Sequence, residues 1–253
     1  MSDITYTFVG CSITAGEGLL LEKDSISLYA NIVSKKYSAS VNNLAIKGNT
    51  NYNIFLTAVN ALLFGEQDTI FVQWSGLHRI WLHPGPDTRL FLSHTINQDY
   101  SYRGMYFSKK ELQKLSNQLH LLNHEYNEVI ELINYCKIIT AISNTQHTRV
   151  VFINGLVPWT GEITKFSIID NLEHGLSEYT KELLEYTTRS DSELRLFGLN
   201  LENLILELDA TLWVNQFDSF DKLLVDVGED NMHPGTKTHQ IYASKVIKYL
   251  EGI

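Results

Sequence analysis

Cysteine and proline are scarce in this chain. Its 253 residues include only 2 cysteines, Cys11 and Cys136, and 4 prolines. Two cysteines cannot build a disulfide framework, and such sparing use of cysteine is typical of proteins from reducing compartments. The sequence therefore predicts a fold that is held by a hydrophobic core, to which 44% of the residues can contribute.

Positively charged residues are also scarce. The chain has 20 lysines and arginines but 29 aspartates and glutamates, which gives a net charge of −9. No basic stripe offsets this acidity, which argues against a nucleic-acid partner and makes an anionic membrane a poor one. Residues 1–5 carry neither a basic stretch nor a long apolar run. They predict no signal peptide and no membrane anchor, so we expect a cytoplasmic protein.

Strand and helix patterns alternate in the first third of the chain. Residues 4–9, a stretch that ends at residue 46, and residues 69–74 have the pattern of buried strands, whereas residues 25–37 and 53–64 have helical spacing. A strand-helix-strand-helix-strand series predicts a parallel sheet that is covered by helices on both faces. The fold class indicated is therefore α/β.

Two stretches break this alternation. Residues from about 78 to 107 and from about 156 to 170 combine prolines, glycines and aromatic residues without a regular period. Long irregular connections are often functional, and the first directly follows the third strand, so we expect it to form a lid or substrate wall. No repeat or linker divides the chain, which predicts a single domain over residues 1–253 with two insertions.

A serine near the start and an aspartate-histidine pair near the end can carry acyl-transfer chemistry. Ser12 follows the first strand, where Gly10 lets the backbone turn, and Asp230 lies three residues before His233. Imidazole titrates near neutrality and can take the proton of a serine, while a carboxylate fixes its tautomer. Each residue alone also has a structural interpretation: Ser12 could cap a helix or end a turn, and Asp230 could cap the helix that begins near Pro234.

Three segments resemble the sequence blocks of the SGNH hydrolases, also called GDSL-type esterases and lipases. They are residues 10–14, 41–50 and 230–234, and they follow the order of the family over almost the whole chain. The resemblance implies a three-layer α/β/α fold with a parallel, flavodoxin-like sheet. The activity that it implies is hydrolysis of a carboxylic ester through an acyl-enzyme.

The resemblance also assigns roles to residues. Ser12 would be the nucleophile, His233 the general base and Asp230 its carboxylate partner. The backbone N–H groups of Ser12 and Gly48 would face the oxyanion. Cys11 stands where the family usually has aspartate, and a small buried packing residue is the simpler interpretation, although a thiol beside the nucleophile is a minor rival for its role.

A second departure from the family affects the oxyanion hole. Leu77 stands where the family supplies an asparagine side chain, and leucine cannot donate a hydrogen bond. Loss of one preorganised donor typically costs roughly two to three orders of magnitude in rate, so a substitute is needed or the enzyme is slow. The candidates for this donor are Ser75, His78, Arg79 and Asn154. Ser75 and Arg79 are preferred.

Aromatic residues are frequent near the predicted site. Those in or beside the two insertions are Trp74, Trp81, Tyr100, Tyr102, Tyr106 and Trp159. They could stack on sugar rings or pack around an acyl chain, and equally they could build small cores for the insertions themselves. The candidate substrate-binding residues are Trp74, His78, Arg79 and Trp159.

These features predict an esterase that removes a small O-acyl group, with O-acetyl groups on a carbohydrate as the sharper expectation. Transfer of the acyl group to a sugar hydroxyl would use the same triad. The missing asparagine supports an alternative of a different class, a catalytically weak or inactive protein that binds a glycan in the cleft. A nucleotide-binding loop at Gly10, Gly16 and Gly18 is disfavoured because the spacing differs from the dinucleotide fingerprint.

No metal or cofactor is predicted. The histidine pairs with short spacing are His78 with His83 and His120 with His124. The first pair has an undependable spacing in a loop, and the second lies in the pattern of an ordinary amphipathic helix. Neither pair has an acidic residue or cysteine nearby that would complete a ligand set.

Overall fold

The computed structural model describes residues 4–76, 80–85, 88–92, 100–102, 105–110, 114, 125–156, 208–215 and 219–252. The strands are β1 (Thr5–Val9), β2 (Ser40–Asn43), β3 (Thr69–Trp74), β4 (Ile80–Gly85), β5 (Thr88–Leu92), β6 (Tyr100–Tyr102), β7 (Met105–Phe107) and β8 (Arg149–Asn154). The helices are α1 (Ser12–Ala15), α2 (Tyr29–Lys36), α3 (Asn51–Phe64), α4 (Glu125–Gln146) and α5 (Thr236–Glu251). Short 3-10 helices span Glu22–Asp24, Ala210–Leu212 and Phe220–Leu223.

Four of these strands form one parallel sheet in the order β2-β1-β3-β8. Trp213 adds a parallel bridge to Phe152 of β8, and the Val214 N–H donates to the Phe152 carbonyl at 3.0 Å. The first strand therefore lies inside the sheet, with its successors on either side, as in flavodoxin-like sheets. This arrangement confirms the α/β fold class and the parallel sheet that the sequence predicts.

Helices cover both faces of the sheet. On one face Phe8 of β1 stacks on Phe71 of β3 at 4.5 Å between ring centroids and meets Tyr29 of α2 edge-on at 5.9 Å. On the other face Trp74 lies against Tyr135 of α4 at 6.5 Å. Phe71 and Trp74 are three residues apart in one strand, so their side chains point to opposite faces. The result is the three-layer architecture predicted from the sequence.

Strand β2 ends at Asn43, three residues earlier than the predicted end at residue 46. The Asn43 side chain accepts a hydrogen bond from the Ala45 N–H at 3.1 Å, and the Ile46 N–H then donates to the Gly10 carbonyl at 3.2 Å. An asparagine that bonds to the backbone two residues on is a turn signal. The strand therefore turns early toward the loop that follows β1.

The first insertion contains two hairpins where the sequence predicts irregular chain. Strands β4 and β5 pair antiparallel, and so do β6 and β7. The β4–β5 register shifts between Leu82 and Gly85, a stretch that contains Pro84. Proline cannot donate to the strand ladder, so it is tolerated at such an irregularity. All but the first residue of the second predicted insertion, 156–170, lies outside the described residues.

Both cysteines, Cys11 and Cys136, are buried and free. Burial raises the pKa of the Cys136 thiol well above its ordinary value, which keeps this side chain in the core as an uncharged, unreactive group. None of the helices in the described ranges is both long enough and apolar enough to cross a membrane.

One histidine lies in the core between α2 and α5. His239 is fully buried and stacks on Tyr29 at 6.0 Å, with Tyr242 edge-on at 5.6 Å. Within the part of the chain that the structure describes, neither ring nitrogen has a hydrogen-bond partner. Burial penalises the imidazolium and lowers the pKa of His239 to about 4, although the charge of Asp226 opposes this shift. His239 is therefore a neutral core residue at pH 7.

His239 makes the fold sensitive to mild acid. Because its folded-state pKa lies below the ordinary 6.5, its contribution to stability is complete above pH 6.5 and is lost as the pH falls toward 4. We expect about 3 kcal/mol of unfolding free energy to disappear over this window in urea titrations. The unfolding free energy of the variant His239→Leu should fall much less over the same pH range. Parallel losses in the two proteins would contradict this role of the buried imidazole.

Candidate active site

The predicted nucleophile lies at the carboxyl edge of the sheet. Ser12 is the first residue of α1, three residues after the end of β1, and is 4% exposed. Its N–H belongs to the first turn of α1, where backbone donors have no partner within the helix. Gly10 lets the loop between β1 and α1 pack closely against Thr14 and Gln73. A Cβ at position 10 would lie 2.7 Å from the Thr14 hydroxyl and 2.8 Å from the Gln73 side-chain oxygen.

A buried glutamine holds this loop in place. The Gln73 Oε1 accepts hydrogen bonds from the Thr14 hydroxyl at 2.8 Å and from the Cys11 N–H at 3.3 Å, while its Nε2 donates to the Trp74 carbonyl at 2.7 Å. Gln73 is fully buried in β3. It is not among the residues predicted from the sequence, although a single amide within an otherwise apolar strand is the signal that could have revealed it.

Cys11 takes part in the same buried network. Its Sγ lies 3.4 Å from both Oε1 and Nε2 of Gln73, and its side chain is fully buried. The Ser12 hydroxyl donates to this sulfur at 3.9 Å. These contacts support the interpretation of Cys11 as a packing residue beneath the nucleophile.

The predicted base and its carboxylate partner are in direct contact. The His233 Nδ1 lies 2.6 Å from the Asp230 Oδ2, and the other oxygen of Asp230 accepts from the N–H groups of Met232 and His233 at 2.9 Å each. Partial burial opposes ionisation of Asp230, but these hydrogen bonds outweigh it and lower its pKa to about 2. An ionised Asp230 can only accept, so Nδ1 carries the proton of the pair.

Helix capping, the alternative interpretation of Asp230, is performed by a different residue. Asp226 accepts from the N–H of Thr238 at 2.7 Å, from the Thr238 hydroxyl at 2.6 Å and from the Lys237 N–H at 3.0 Å. Although partial burial opposes it, this set of donors lowers the pKa of Asp226. Asp226 thus satisfies the first turn of α5, which leaves Asp230 to the histidine.

Two glycines bring the ends of the chain together. The Gly18 carbonyl, in the loop after α1, accepts from the Glu229 N–H at 2.8 Å. A Cβ on Gly228 would overlap this carbonyl, and a Cβ on Gly18 would lie 3.0 Å from both the Asp230 Oδ1 and the His233 Cβ. The Asp230–His233 turn can therefore pack on the loop that begins at Ser12 because Gly228 has no side chain and Gly18 leaves room for the turn.

A third acidic residue reaches the histidine from the nucleophile side. The Glu17 Oε2 lies 3.4 Å from the His233 Nε2, and the Glu17 N–H donates to the Ser12 carbonyl at 3.0 Å. Among the described residues the Ser12 hydroxyl bonds only to Cys11, so the structure does not join Ser12 to His233 by a hydrogen bond. Glu17 is also absent from the residues predicted from the sequence, although a lone charge between two glycines just after the nucleophile is a visible signal.

The predicted oxyanion glycine lies in a loop that is tied to the nucleophile loop. Gly48 has a φ of 64°, and the Asn49 side chain donates to the Gly10 carbonyl at 3.3 Å. No described atom lies within 4 Å of the place where a Gly48 Cβ would be, so this side of the loop is open. The turn therefore presents Gly48 beside the residues that precede Ser12.

Ser75, one of the predicted third oxyanion donors, directly follows β3 at the carboxyl edge of the sheet. The Asn51 side chain holds its backbone, accepting from the Ser75 N–H at 2.8 Å and donating to the Ser75 carbonyl at 3.2 Å. Ser75 is fully buried, and its hydroxyl has no hydrogen-bond partner within the described ranges. The buried hydroxyls of Thr7, Ser34 and Tyr37 also lack a partner within these ranges, but only Ser75 directly follows a strand at the carboxyl edge of the sheet, which makes it a candidate donor to a bound group.

The remaining oxyanion and substrate candidates include one residue in the sheet and three outside the described ranges. Asn154 is fully buried at the end of β8, where the Asn215 side chain brackets its backbone at 3.0 and 2.9 Å. His78, Arg79 and Trp159 lie outside the described residues, so their roles stay predictions.

Trp74, predicted to bind substrate, is a core residue in the structure. Its ring is fully buried and stacks on Tyr135 at 6.5 Å and on Phe152 at 6.0 Å. An aromatic residue at the end of a buried strand has the same sequence pattern whether it faces the cleft or the helix layer. Here it faces α4, which corrects the predicted substrate contact.

One group of side chains has metal-ligand chemistry. Glu17, Asp230 and His233 each offer a ligand atom within 4.8 Å of the others. The Asp230 contact uses Nδ1, so a cation on the open side would find only Nε2 and the Glu17 carboxylate among the described residues. Catalytic zinc sites usually have three protein ligands, and this arrangement offers two on one side.

Comparisons with known proteins identify the fold. No protein-family model and no curated protein matches this chain by sequence. The structure of TesA is similar over 98% of both chains, with 12% identity and a TM-score of 0.50. The esterase EstA from Pseudoalteromonas sp. aligns with 99% of this chain and 98% of its own, with 10% identity and a TM-score of 0.48. A lipolytic protein of the G-D-S-L family from Desulfitobacterium hafniense aligns with 98% of this chain and 99% of its own, with 11% identity and a TM-score of 0.43.

At these identities the likeness concerns the fold alone. The parallel sheet, the helices on both faces and the likeness to TesA agree with the architecture implied by the three sequence segments. The chain therefore has the fold of the SGNH hydrolases.

The division of labour between the two aspartates can be tested through stability. Asp226→Ala removes the acceptor for the first turn of α5 and should lower the free energy of unfolding by about 1–2 kcal/mol in urea titrations. Glu229→Ala, at an exposed neighbouring position, should change it by less than about 0.5 kcal/mol. Equal effects of the two substitutions would show that Asp226 does not support the helix.

Proposed function

We propose that this protein is a serine esterase of the SGNH type that hydrolyses a small O-acyl ester through an acyl-enzyme. The observation that carries the proposal is the docking of the Asp230–His233 pair, through Glu229 and the Gly18 carbonyl, onto the loop that begins at Ser12. A serine, an imidazole and an ionised carboxylate are the residue types that nucleophilic acyl transfer requires.

The proposed reaction has two half-reactions. His233 Nε2 takes the proton of Ser12 as the Ser12 oxygen attacks the ester carbonyl carbon, and Asp230 stabilises the resulting imidazolium. The tetrahedral intermediate then collapses, and Nε2 gives the proton to the departing alcohol oxygen. In the second half-reaction, His233 Nε2 takes a proton from water as the water oxygen attacks the acyl carbon. The new intermediate collapses, Nε2 returns a proton to the Ser12 oxygen, and the carboxylic acid is released. The Ser12 hydroxyl must turn from the Cys11 sulfur toward His233 before the first step, a tightening that is common when substrate binds.

We assign three donors to the oxyanion hole: the N–H groups of Ser12 and Gly48 and the hydroxyl of Ser75. The first-turn position of the Ser12 N–H supports the first donor, and the hydrogen bond from the Asn49 side chain to the Gly10 carbonyl, which ties the Gly48 loop to the residues before Ser12, supports the second. Ser75 is favoured over Asn154 because its buried hydroxyl lacks a partner within the described residues. This hydroxyl can therefore donate to a developing oxyanion.

The finer proposal is that the ester is an O-acetyl group on a carbohydrate. Its support is the aromatic content of the insertion that follows β3, where Trp81, Tyr100, Tyr102 and Tyr106 all belong to the hairpin strands β4, β6 and β7. Aromatic rings suit the apolar faces of sugars. Transfer of the acetyl group to a sugar hydroxyl would follow the same first half-reaction.

A non-catalytic glycan-binding protein is the second candidate function. Two observations favour it: Leu77 replaces the oxyanion asparagine, and the Ser12 hydroxyl bonds to Cys11 instead of His233. Such a protein would keep the cleft but lack turnover.

Release of nitrophenol from 4-nitrophenyl acetate separates the two candidates. For an esterase, Ser12→Ala and His233→Ala should each lower kcat by about a thousandfold or more, because the nucleophile and base act as one unit. Cys11→Ala should keep most of the activity, with circular dichroism as the check on folding. Activity that survives Ser12→Ala but vanishes in Cys11→Ala would identify the thiol as the nucleophile, and equal background rates in all proteins would favour the binding protein.

The Ser75 assignment has its own test. Ser75→Ala should lower kcat by about a hundredfold to a thousandfold with little change in KM, because an oxyanion donor acts mainly in the transition state. Ser143→Ala is the matched control, since Ser143 is also buried but donates to the Thr140 carbonyl within α4. If both variants have the same kcat, Ser75 is not the third donor.

A further inference from the structure

Glu17 presents a carboxylate to the open edge of the histidine ring. Its Oε2 lies 3.4 Å from the His233 Nε2, and the two side chains are 28% and 24% exposed. The Glu17 backbone is fixed by the hydrogen bond from its N–H to the Ser12 carbonyl. The carboxylate therefore stands between the nucleophile helix and the base, in reach of solvent and of a ligand.

When His233 is neutral, its Nε2 has no hydrogen to donate to the Glu17 carboxylate. Nδ1 donates its proton to Asp230, so Nε2 carries the lone pair of the neutral ring. Two acceptors that face each other do not bind, and the Glu17 carboxylate is then available to a positive or hydrogen-donating group on a ligand. This role is separate from that of Asp230, which holds the opposite edge of the ring.

The position of Glu17 determines which part of an ester it would meet. In the proposed reaction Nε2 hands its proton to the oxygen of the departing alcohol. The atoms next to Nε2 in the bound ester are therefore those of the alcohol, whereas the acyl oxygen faces the N–H groups of Ser12 and Gly48. Glu17 would therefore meet the alcohol side of the ester.

The charges around Glu17 have an excess of negative sign. Lys47 Nζ lies 3.8 Å from Glu17 and 2.6 Å from Glu22, so one ammonium is shared by two carboxylates. Asp230 adds a third carboxylate across the ring. Glu22 pairs with the ammonium more closely than Glu17 does, so the Glu17 and Asp230 carboxylates on either side of the ring would repel an anionic alcohol and attract a cationic one.

We infer that Glu17 is a specificity-determining residue for the alcohol part of the ester: it admits neutral and cationic alcohols, amino sugars included, and rejects anionic ones. This inference rests on the proposed esterase function. Glu17 lies beside the proposed triad but is not one of its members.

Three acetate esters of matched size test the inference. They are the esters of choline, of 3,3-dimethylbutanol and of 2-hydroxyethanesulfonate, which carry positive, zero and negative charge on the alcohol. The ratio of kcat/KM for the choline ester to that for the sulfonate ester should fall about tenfold in Glu17→Gln, because the charge is lost and the shape is kept. In the unsubstituted enzyme the same ratio should shrink as ionic strength rises.

Glu22→Gln is the matched control. It also removes a carboxylate that pairs with Lys47, but Glu22 has no contact with His233 among the described residues. Its ratio should stay within about twofold of the unsubstituted enzyme, since exposed charges farther from the ligand are screened. A second control places the charge on the acyl side, in 4-nitrophenyl esters of acetate and of succinate. The preference between these two esters should be the same in Glu17→Gln as in the unsubstituted enzyme.

The outcomes distinguish the two hypotheses. If no ester shows turnover that depends on Ser12, the proposed function fails and the inference fails with it. If turnover depends on Ser12 but the alcohol-charge ratio is unchanged in Glu17→Gln, or changes equally in Glu22→Gln, only the assignment to Glu17 is overturned. A change confined to Glu17→Gln and to the alcohol series supports it.

Discussion

The close backbone contact between Gly18 and Gly228 is the constraint on which the candidate site depends. Residues near the two ends of the chain become neighbours here because a Cβ on Gly228 would overlap the Gly18 carbonyl, and a Cβ on Gly18 would crowd Asp230 and His233 at 3.0 Å. The Gly18 carbonyl then receives the Glu229 N–H at 2.8 Å, and the turn that carries Asp230 and His233 lies against the loop after Ser12. A single methyl group at Gly228 would separate the candidate catalytic residues Ser12 and His233 without touching either of them.

Beneath this contact a buried amide fixes the nucleophile loop to the sheet. Gln73 uses its oxygen for Thr14 and Cys11 and its nitrogen for the Trp74 carbonyl, so a polar side chain in the centre of a parallel sheet is satisfied. The cost of burying an amide is met only when its hydrogen bonds are made. The network consequently favours one conformation of the loop, and Cys11 completes it as a soft, polarisable neighbour where SGNH hydrolases usually have an aspartate.

The fold could be predicted from the sequence because its signals are local. Apolar strands, helical spacing and the Gly10 turn each depend on a few neighbouring residues, and β3 matches its predicted bounds. The parts that could not be predicted depend on contacts between distant residues. Asn43 ends β2 early because its side chain meets Ala45 in the turn that leads to Gly10. Trp74 faces α4 although its pattern suits a cleft wall equally well, and nothing in the sequence near Glu17 shows that its carboxylate reaches His233.

Asp226 and Asp230 are four residues apart but have different roles, because each accepts hydrogen bonds from a different set of donors. Asp226 is surrounded by the first-turn N–H groups of α5 and the Thr238 hydroxyl, which occupy both of its oxygens. Among the described residues Asp230 bonds within its own turn, where one oxygen accepts from backbone N–H groups and the other contacts the imidazole. An aspartate that had to cap α5 as well would share its charge between the helix and the histidine. Because Asp226 satisfies the helix, the carboxylate beside His233 can remain ionised and dedicated to the ring, which is the condition under which an imidazole acts as a base toward a serine.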